Sequence, residues 1–165
     1  MLVVVIIGIM SSLAIPYYMK ASARAYRSEM QVTLSKLELY FRNIYQNQGN
    51  FNGPSVVANA DVMPDPNNTI PIGQGADWKP VQGHGWDDLP FPPQGNIRMR
   101  YLYVVDATGT TVTLFGYGNF PGFGSATRTA PNGAAYNYSY KEVLVGSGQN
   151  VIIDPAQTQE YPISF

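Results

Sequence analysis

The chain's one histidine, His84, lies in Gly83-His84-Gly85-Trp86-Asp87-Asp88, where an imidazole and two carboxylates could in principle share a metal ion. A single imidazole in a glycine-flanked loop is more often solvated or structural, so no metal site is expected. With no Cys in the 165 residues, there is no thiolate nucleophile, no zinc set and no covalent haem attachment. Gly116-Tyr117-Gly118-Asn119-Phe120-Pro121 opens like a dinucleotide fingerprint, but Pro121 stands where the third glycine belongs and no helical pattern follows. Neither a G-x-S-x-G elbow nor a P-loop is present. These residue types imply no catalytic residue, no cofactor and no enzyme. Two modification sequons remain, Asn67-Asn68-Thr69 and Asn137-Tyr138-Ser139, the second inside a stretch that reads as a strand.

With so little reactive chemistry, function must reside in the structural elements. Charged residues make up only 13% of the chain, about half the usual share, while 45% is hydrophobic. The net charge of −1 provides no basic field for nucleic acid or an anionic membrane surface. Without disulfides, stability must come from a core or a partner. The apolar material is concentrated at the start: Met1 to Met19 carry no charge, and Lys20, Arg24 and Arg27 follow. As a helix those nineteen residues span about 28 Å, close to the roughly 30 Å of a bilayer's hydrocarbon. Tyr17 and Tyr18 then fall where an interfacial aromatic belt lies.

Three readings of this segment compete. Ala21-Ser22-Ala23 resembles a signal-peptide cleavage site, but no basic region precedes the apolar run and the helical pattern continues through it. A plain single-span anchor fits the length. A helix that inserts in a membrane and is later buried against copies of itself fits the length and also the placement of Gly8 and Pro16, eight residues apart within the run.

The stretch Val3-Val4-Val5-Ile6-Ile7-Gly8-Ile9-Met10-Ser11-Ser12-Leu13-Ala14-Ile15-Pro16-Tyr17-Tyr18 resembles the N-terminal segment of bacterial type IV pilins and type II secretion pseudopilins. Leu37 to Phe51, with its paired aromatics and Gly49 exit, is similar to the end of the same family's long helix. Together the two stretches cover roughly the first fifty residues. Aligning Gly8 and Ala14-Ile15-Pro16 with the family pattern implies that about six residues precede Met1, among them an N-methylated Phe and the Glu used in assembly. The resemblance implies a pilin fold, α+β, with a long N-terminal helix and an antiparallel sheet in a C-terminal globular domain. It implies a structural subunit, a major pilin, that polymerises into a helical filament for adhesion, motility or uptake. Its partners are then identical subunits, the membrane before assembly, a prepilin peptidase and the assembly machinery, with the inner membrane and then the cell surface as locations. The filament-core residues are Val3, Val4, Ile6, Ile7, Gly8, Ile9, Leu13, Ile15 and Pro16. In the family, helicity is often lost between the positions matching Gly8 and Pro16 inside the filament. Two readings stand beside this: a minor pilin or pseudopilin, and a membrane-anchored module that binds carbohydrate or a protein. Pseudopilins often carry a calcium loop. With only Glu142, Asp154 and Glu160 after Gly118, such a loop is not expected.

Beyond the apolar stretch, Tyr26, Met30, Leu34, Leu37, Phe41 and Ile44 recur at steps of 4, 4, 3, 4 and 3, one helical stripe that should pack on the C-terminal domain. We therefore divide the chain into an apolar half-helix (1–22), a docked half-helix (23–47) and a sheet domain (48–165) whose segment 52–96, rich in Pro and Gly, reads as a long loop. Ile97–Val105 alternates like a strand, Asp106–Gly109 like a turn, and Thr110–Tyr117 like its hairpin partner. A third strand is expected from Tyr136 to about Val145 and a fourth around Val151–Ile153.

Overall fold

The computed structural model describes residues 2–52, 76–77, 96–120, 128–130 and 135–161. One helix, α1 (Leu2–Gln48), is followed by strands β1 (Ala76–Asp77), β2 (Asn96–Ile97), β3 (Arg100–Val105), β4 (Thr111–Gly118), β5 (Arg128–Thr129), β6 (Ala135–Tyr136), β7 (Tyr138–Ser147), β8 (Asn150–Ile153) and β9 (Gln159–Tyr161). The architecture is α+β, a long N-terminal helix against an antiparallel sheet, consistent with a pilin-like layout.

At 1.5 Å per residue α1 is about 70 Å long. Helix formers such as Ala, Met, Leu, Glu, Lys and Gln dominate its second half. It ends where Gly49 turns left-handed, φ 74°, and donates its N–H to the Tyr45 carbonyl at 2.8 Å. Pro16 lies inside it, and the isolated chain stays helical from Gly8 through Pro16. The loss of helicity expected in this stretch concerns an assembled filament, a different environment for the same residues.

The main sheet runs β3-β4-β7-β8, with β9 also pairing to β7. β3 and β4 form a hairpin in which Arg100 faces Tyr117 and Val105 faces Val112. Its turn is fixed by the Asp106 carboxylate, which accepts the Thr111 N–H at 2.8 Å, and by Gly109 at φ 69°. The Gly109 carbonyl then accepts the Phe51 N–H at 2.8 Å, tying the exit of the helix to the hairpin.

Both faces of this sheet are covered. Tyr101, Tyr103 and Val105 from β3, Val112 and Leu114 from β4, and Tyr138 and Leu144 from β7 join Met30, Leu34, Leu37 and Phe41 of α1 in the main core. On the other face Leu102, Tyr117, Ala130 and Tyr136 form a smaller cluster.

Three expectations are corrected. Ile97–Val105 is not one strand: Asn96–Ile97 pairs with Ala76–Asp77, and β3 starts only at Arg100. Its burial does not alternate either, because a core lies on each side, so Tyr101, Leu102 and Tyr103 are all buried. The segment 52–96 is not loop throughout, since Ala76–Asp77 is a strand. The strand expected from Tyr136 breaks at Asn137. This side chain accepts the Phe120 N–H at 2.9 Å and donates to the Phe120 carbonyl at 2.8 Å, occupying a backbone position that a continued ladder would fill. The fourth strand lies where expected, whereas β9 was not foreseen.

Candidate functional site

The residues that distinguish this chain lie along α1, whose two halves face opposite situations. In the first half, the nine large apolar side chains from Val3 to Ile15 are 48–71% exposed, and Tyr17 and Tyr18 are more exposed still. Val3, Val4, Ile6, Ile7, Gly8, Ile9, Leu13, Ile15 and Pro16 all lie in this surface, together with Val5 and Met10. Among the described residues, none of the most apolar window is buried. A cavity, an ion pair or a hydrogen-bond network does not define this site. It is a rod of apolar, mostly branched side chains without a packing partner among the described residues, long and apolar enough to cross a membrane.

Met19 and Ser22 are partly buried, and full burial begins at Ala23. From there Met30, Leu34, Leu37 and Phe41 are buried in the main core, while Tyr26 and Ile44 pack against it half-buried. The six stripe residues are thus brought together on the sheet. Three buried helix residues fall outside the predicted stripe: Ala23, Thr33 and Tyr45. The step from Phe41 to Tyr45 is as helical as the step to Ile44, so spacing alone could not choose between them. The sheet decides in favour of Tyr45, because Gly116 and Gly146 leave gaps in its helix-facing surface. A Cβ on Gly116 would lie 2.9 Å from Met30 Cγ, and one on Gly146 would lie 2.1 Å from Tyr45 Cε2.

Polar contacts frame this docking face. The Arg27 Nη2 meets Glu160 Oε2 at 2.6 Å, and the Tyr138 hydroxyl donates to Glu160 Oε1 at 2.8 Å, so one carboxylate on β9 links the helix and β7. Burial raises the Tyr138 hydroxyl pKa, and the Glu160 carboxylate raises it further. Glu29 Oε1 accepts the Arg98 N–H at 2.7 Å, and the Arg98 guanidinium lies 5.3 Å from the centre of the Tyr26 ring, which is itself stacked 4.6 Å from Phe120. Burial raises the Glu29 carboxyl above its usual range, and its Arg98 contacts oppose that rise. Towards the end of the helix Arg42 pairs with Glu38 at 2.6 Å and donates to the Val151 carbonyl. Beneath them sits Glu142, buried, its pKa raised first by desolvation and then by Glu38, with Arg42 pulling the other way.

The motif candidates fare differently. His84, Asp87 and Asp88, and the sequon at Asn67, lie outside the described residues. Among the described residues no group of His, Cys, Asp and Glu could hold a metal ion. Gly116 and Gly118 lie within β4, facing Met30 and Met99. Asn137 is buried, and its amide is engaged by Phe120, so the second sequon offers no accessible nitrogen in the folded chain. Comparison of the chain with protein families, with curated proteins and with solved structures finds no match.

Proposed function

We propose that this protein is a structural subunit of a type IV pilus-like filament, inserted in a membrane by the first half of α1 and then polymerised through it. The observation that carries the reading is the uncovered apolar rod projecting from a docked domain. Fully burying a large aliphatic side chain is worth about 1.5–3 kcal/mol, so a surface of nine such residues has a strong drive into lipid or protein. The far side of the docked half adds support. Val32 and Leu39 are exposed there, seven residues apart and in helical register with Ala25 and Tyr18, so an apolar ridge runs past the apolar half. A lipid anchor alone has no use for that ridge, whereas a neighbouring helix does. A repeated contact between unlike faces of identical chains grows a filament when its rotation does not close into a ring.

The test is Leu13→Arg in the full chain expressed in cells. Leu13 is 70% exposed, so the domain should unfold at an unchanged temperature. An arginine at mid-helix disfavours membrane insertion by about 2.5–3.5 kcal/mol and adds an unpaired charge to any helix bundle. Surface filaments containing this protein, seen by negative-stain microscopy and identified by sequencing after shearing, should disappear with the substitution. An anchored monomer with no filament in the unsubstituted protein overturns the proposal and leaves the anchored binding module.

A further inference from the structure

On the face of the sheet opposite α1 lies a groove of about 670 Å³, between the β5–β6 ladder, β7 and β9. That volume is in the range of small-ligand sites. Its walls are aromatic: Phe115, Tyr136 and Tyr161, with Phe115 and Tyr136 edge to face at 5.8 Å. Its charged lining residues are Arg128, whose guanidinium sits 3.8 Å from the centre of the Tyr161 ring, Lys141 and Glu160.

The register explains why these cations are available. Along β9, Gln159 faces Lys141 and Tyr161 faces Ser139, so these four side chains share the groove side of the sheet. Glu160, between them, is paired with Tyr140 and points to the helix side, where Arg27 and Tyr138 take both of its carboxylate oxygens. Glu160 thus lines the groove, while its carboxylate is paired on the opposite face. Among the described residues neither Arg128 nor Lys141 has a carboxylate partner.

We propose that this groove binds an acidic saccharide, a pyranose ring bearing a carboxylate. The apolar C–H face of such a ring matches an aromatic wall. Its carboxylate matches the fork of Arg128 and the ammonium of Lys141. Its hydroxyls match Ser139, Thr158 and the Gln159 amide, which can donate as well as accept. Two cations in a chain of net charge −1 are too few to track a nucleic-acid backbone. The site does not depend on polymerisation and exists equally in a single anchored chain.

The test uses the full chain in neutral detergent micelles, with trigalacturonate as ligand and calorimetry as readout. Neutral galactotriose, triglutamate and an oligothymidylate serve as competitors. Saturable binding of trigalacturonate is expected, weakening as salt is added. Arg128→Gln and Lys141→Gln should each lower affinity roughly tenfold with unchanged thermal unfolding, as expected for loss of one charge-assisted contact. Amide shift changes on titration of the unsubstituted chain should centre on Ser139–Lys141 and Gln159–Tyr161. Absent saturation, equal binding of galactotriose, tighter binding of triglutamate or oligothymidylate, shifts centred elsewhere, or unaffected substitutions would each overturn the proposal.

Discussion

Replacing Gly146 with alanine should loosen the end of α1 from the sheet. Gly146 faces Val151 across the β7–β8 ladder and donates its N–H to the Thr110 carbonyl at 2.8 Å, which fixes its backbone. A methyl group there would stand 2.1, 2.2 and 2.5 Å from Cε2, Cζ and the hydroxyl oxygen of Tyr45. Carbon atoms in contact sit about 3.5–4.0 Å apart, so the ring would have to retreat by well over an ångström. It has little room to do so, being buried and held 4.8 Å from the Phe51 ring, which in turn packs on Phe41. Overpacking of this kind costs about 1–3 kcal/mol, and expelling the ring altogether about 3–5 kcal/mol. The lower backbone entropy of alanine in the unfolded chain returns about 0.4–1 kcal/mol. A net loss of about 2 kcal/mol follows, or roughly 4–8 °C in unfolding temperature for a chain of this size. Thermal and urea unfolding of the full chain in micelles, followed by near-ultraviolet circular dichroism, would measure it. The informative comparison is a double-mutant cycle with Tyr45→Ala, a background in which Gly146→Ala should be close to neutral. Equal effects of Gly146→Ala in both backgrounds, or none in the unsubstituted protein, would refute the fit of ring to glycine.

Two further outcomes follow from the polar frame of the docking face. Because the Glu142 pKa is raised in the folded chain by burial, the stability it permits is fully present below its ordinary value of 4.5 and is lost as pH rises through the raised value. Glu142→Gln should therefore stabilise the protein at pH 7 and flatten its stability between mildly acidic and neutral pH; urea midpoints at several pH values read this directly. Arg27→Met should lower stability by about 1 kcal/mol or less, since the Arg27 side chain is 40% exposed and its pairing with Glu160 is partly screened. The loss should shrink when unfolding is measured at high salt.

How much of this was legible follows from what each feature depends on. The helix, its exit at Gly49 and its core stripe are local patterns, and periodicity revealed Met30, Leu34, Leu37 and Phe41 because a 3.6-residue repeat needs no knowledge of the partner. Tyr45 and Gly146 are a hundred residues apart, and neither is unusual until the other is placed on it. Alternation failed in β3 for a similar reason: Leu102 points away from the helix and reads as an exposed position, yet Tyr117 and Tyr136 cover it. The break at Asn137 depends on Phe120 meeting its side chain, a contact that spacing within one strand cannot show. β9 is short and polar, Gln159-Glu160-Tyr161, and is a strand because β7 is long enough to pair with β8 at one end and β9 at the other. The groove was invisible for the same reason, as its charges become available only once β9 pairing turns Glu160 away.

The apolar half of α1 stands apart from all of this. Its side chains pack on none of the described parts of the domain, so their composition answers to an environment outside that core. A soluble domain with nine exposed large aliphatics on one rod would aggregate through them. The charges just beyond the rod are informative in the same sense. Of Lys20, Arg24 and Arg27, the last is engaged by Glu160, which leaves Lys20 and Arg24 as exposed basic residues between the rod and the docked segment. A lipid interface suits such residues, because a long cationic side chain can keep its head in water while its stem lies along apolar surface. In the filament proposed above, the same two residues would need acidic partners or solvent channels on neighbouring subunits. Among the described residues near the docked helix, Glu29 is paired with Arg98, Glu38 with Arg42 and Glu160 with Arg27, and Glu142 is buried beneath them. In the proposed filament the partners of Lys20 and Arg24 would then come from other surfaces of a neighbouring subunit, and their surroundings, more than the aliphatic rod itself, would set how one subunit is rotated against the next.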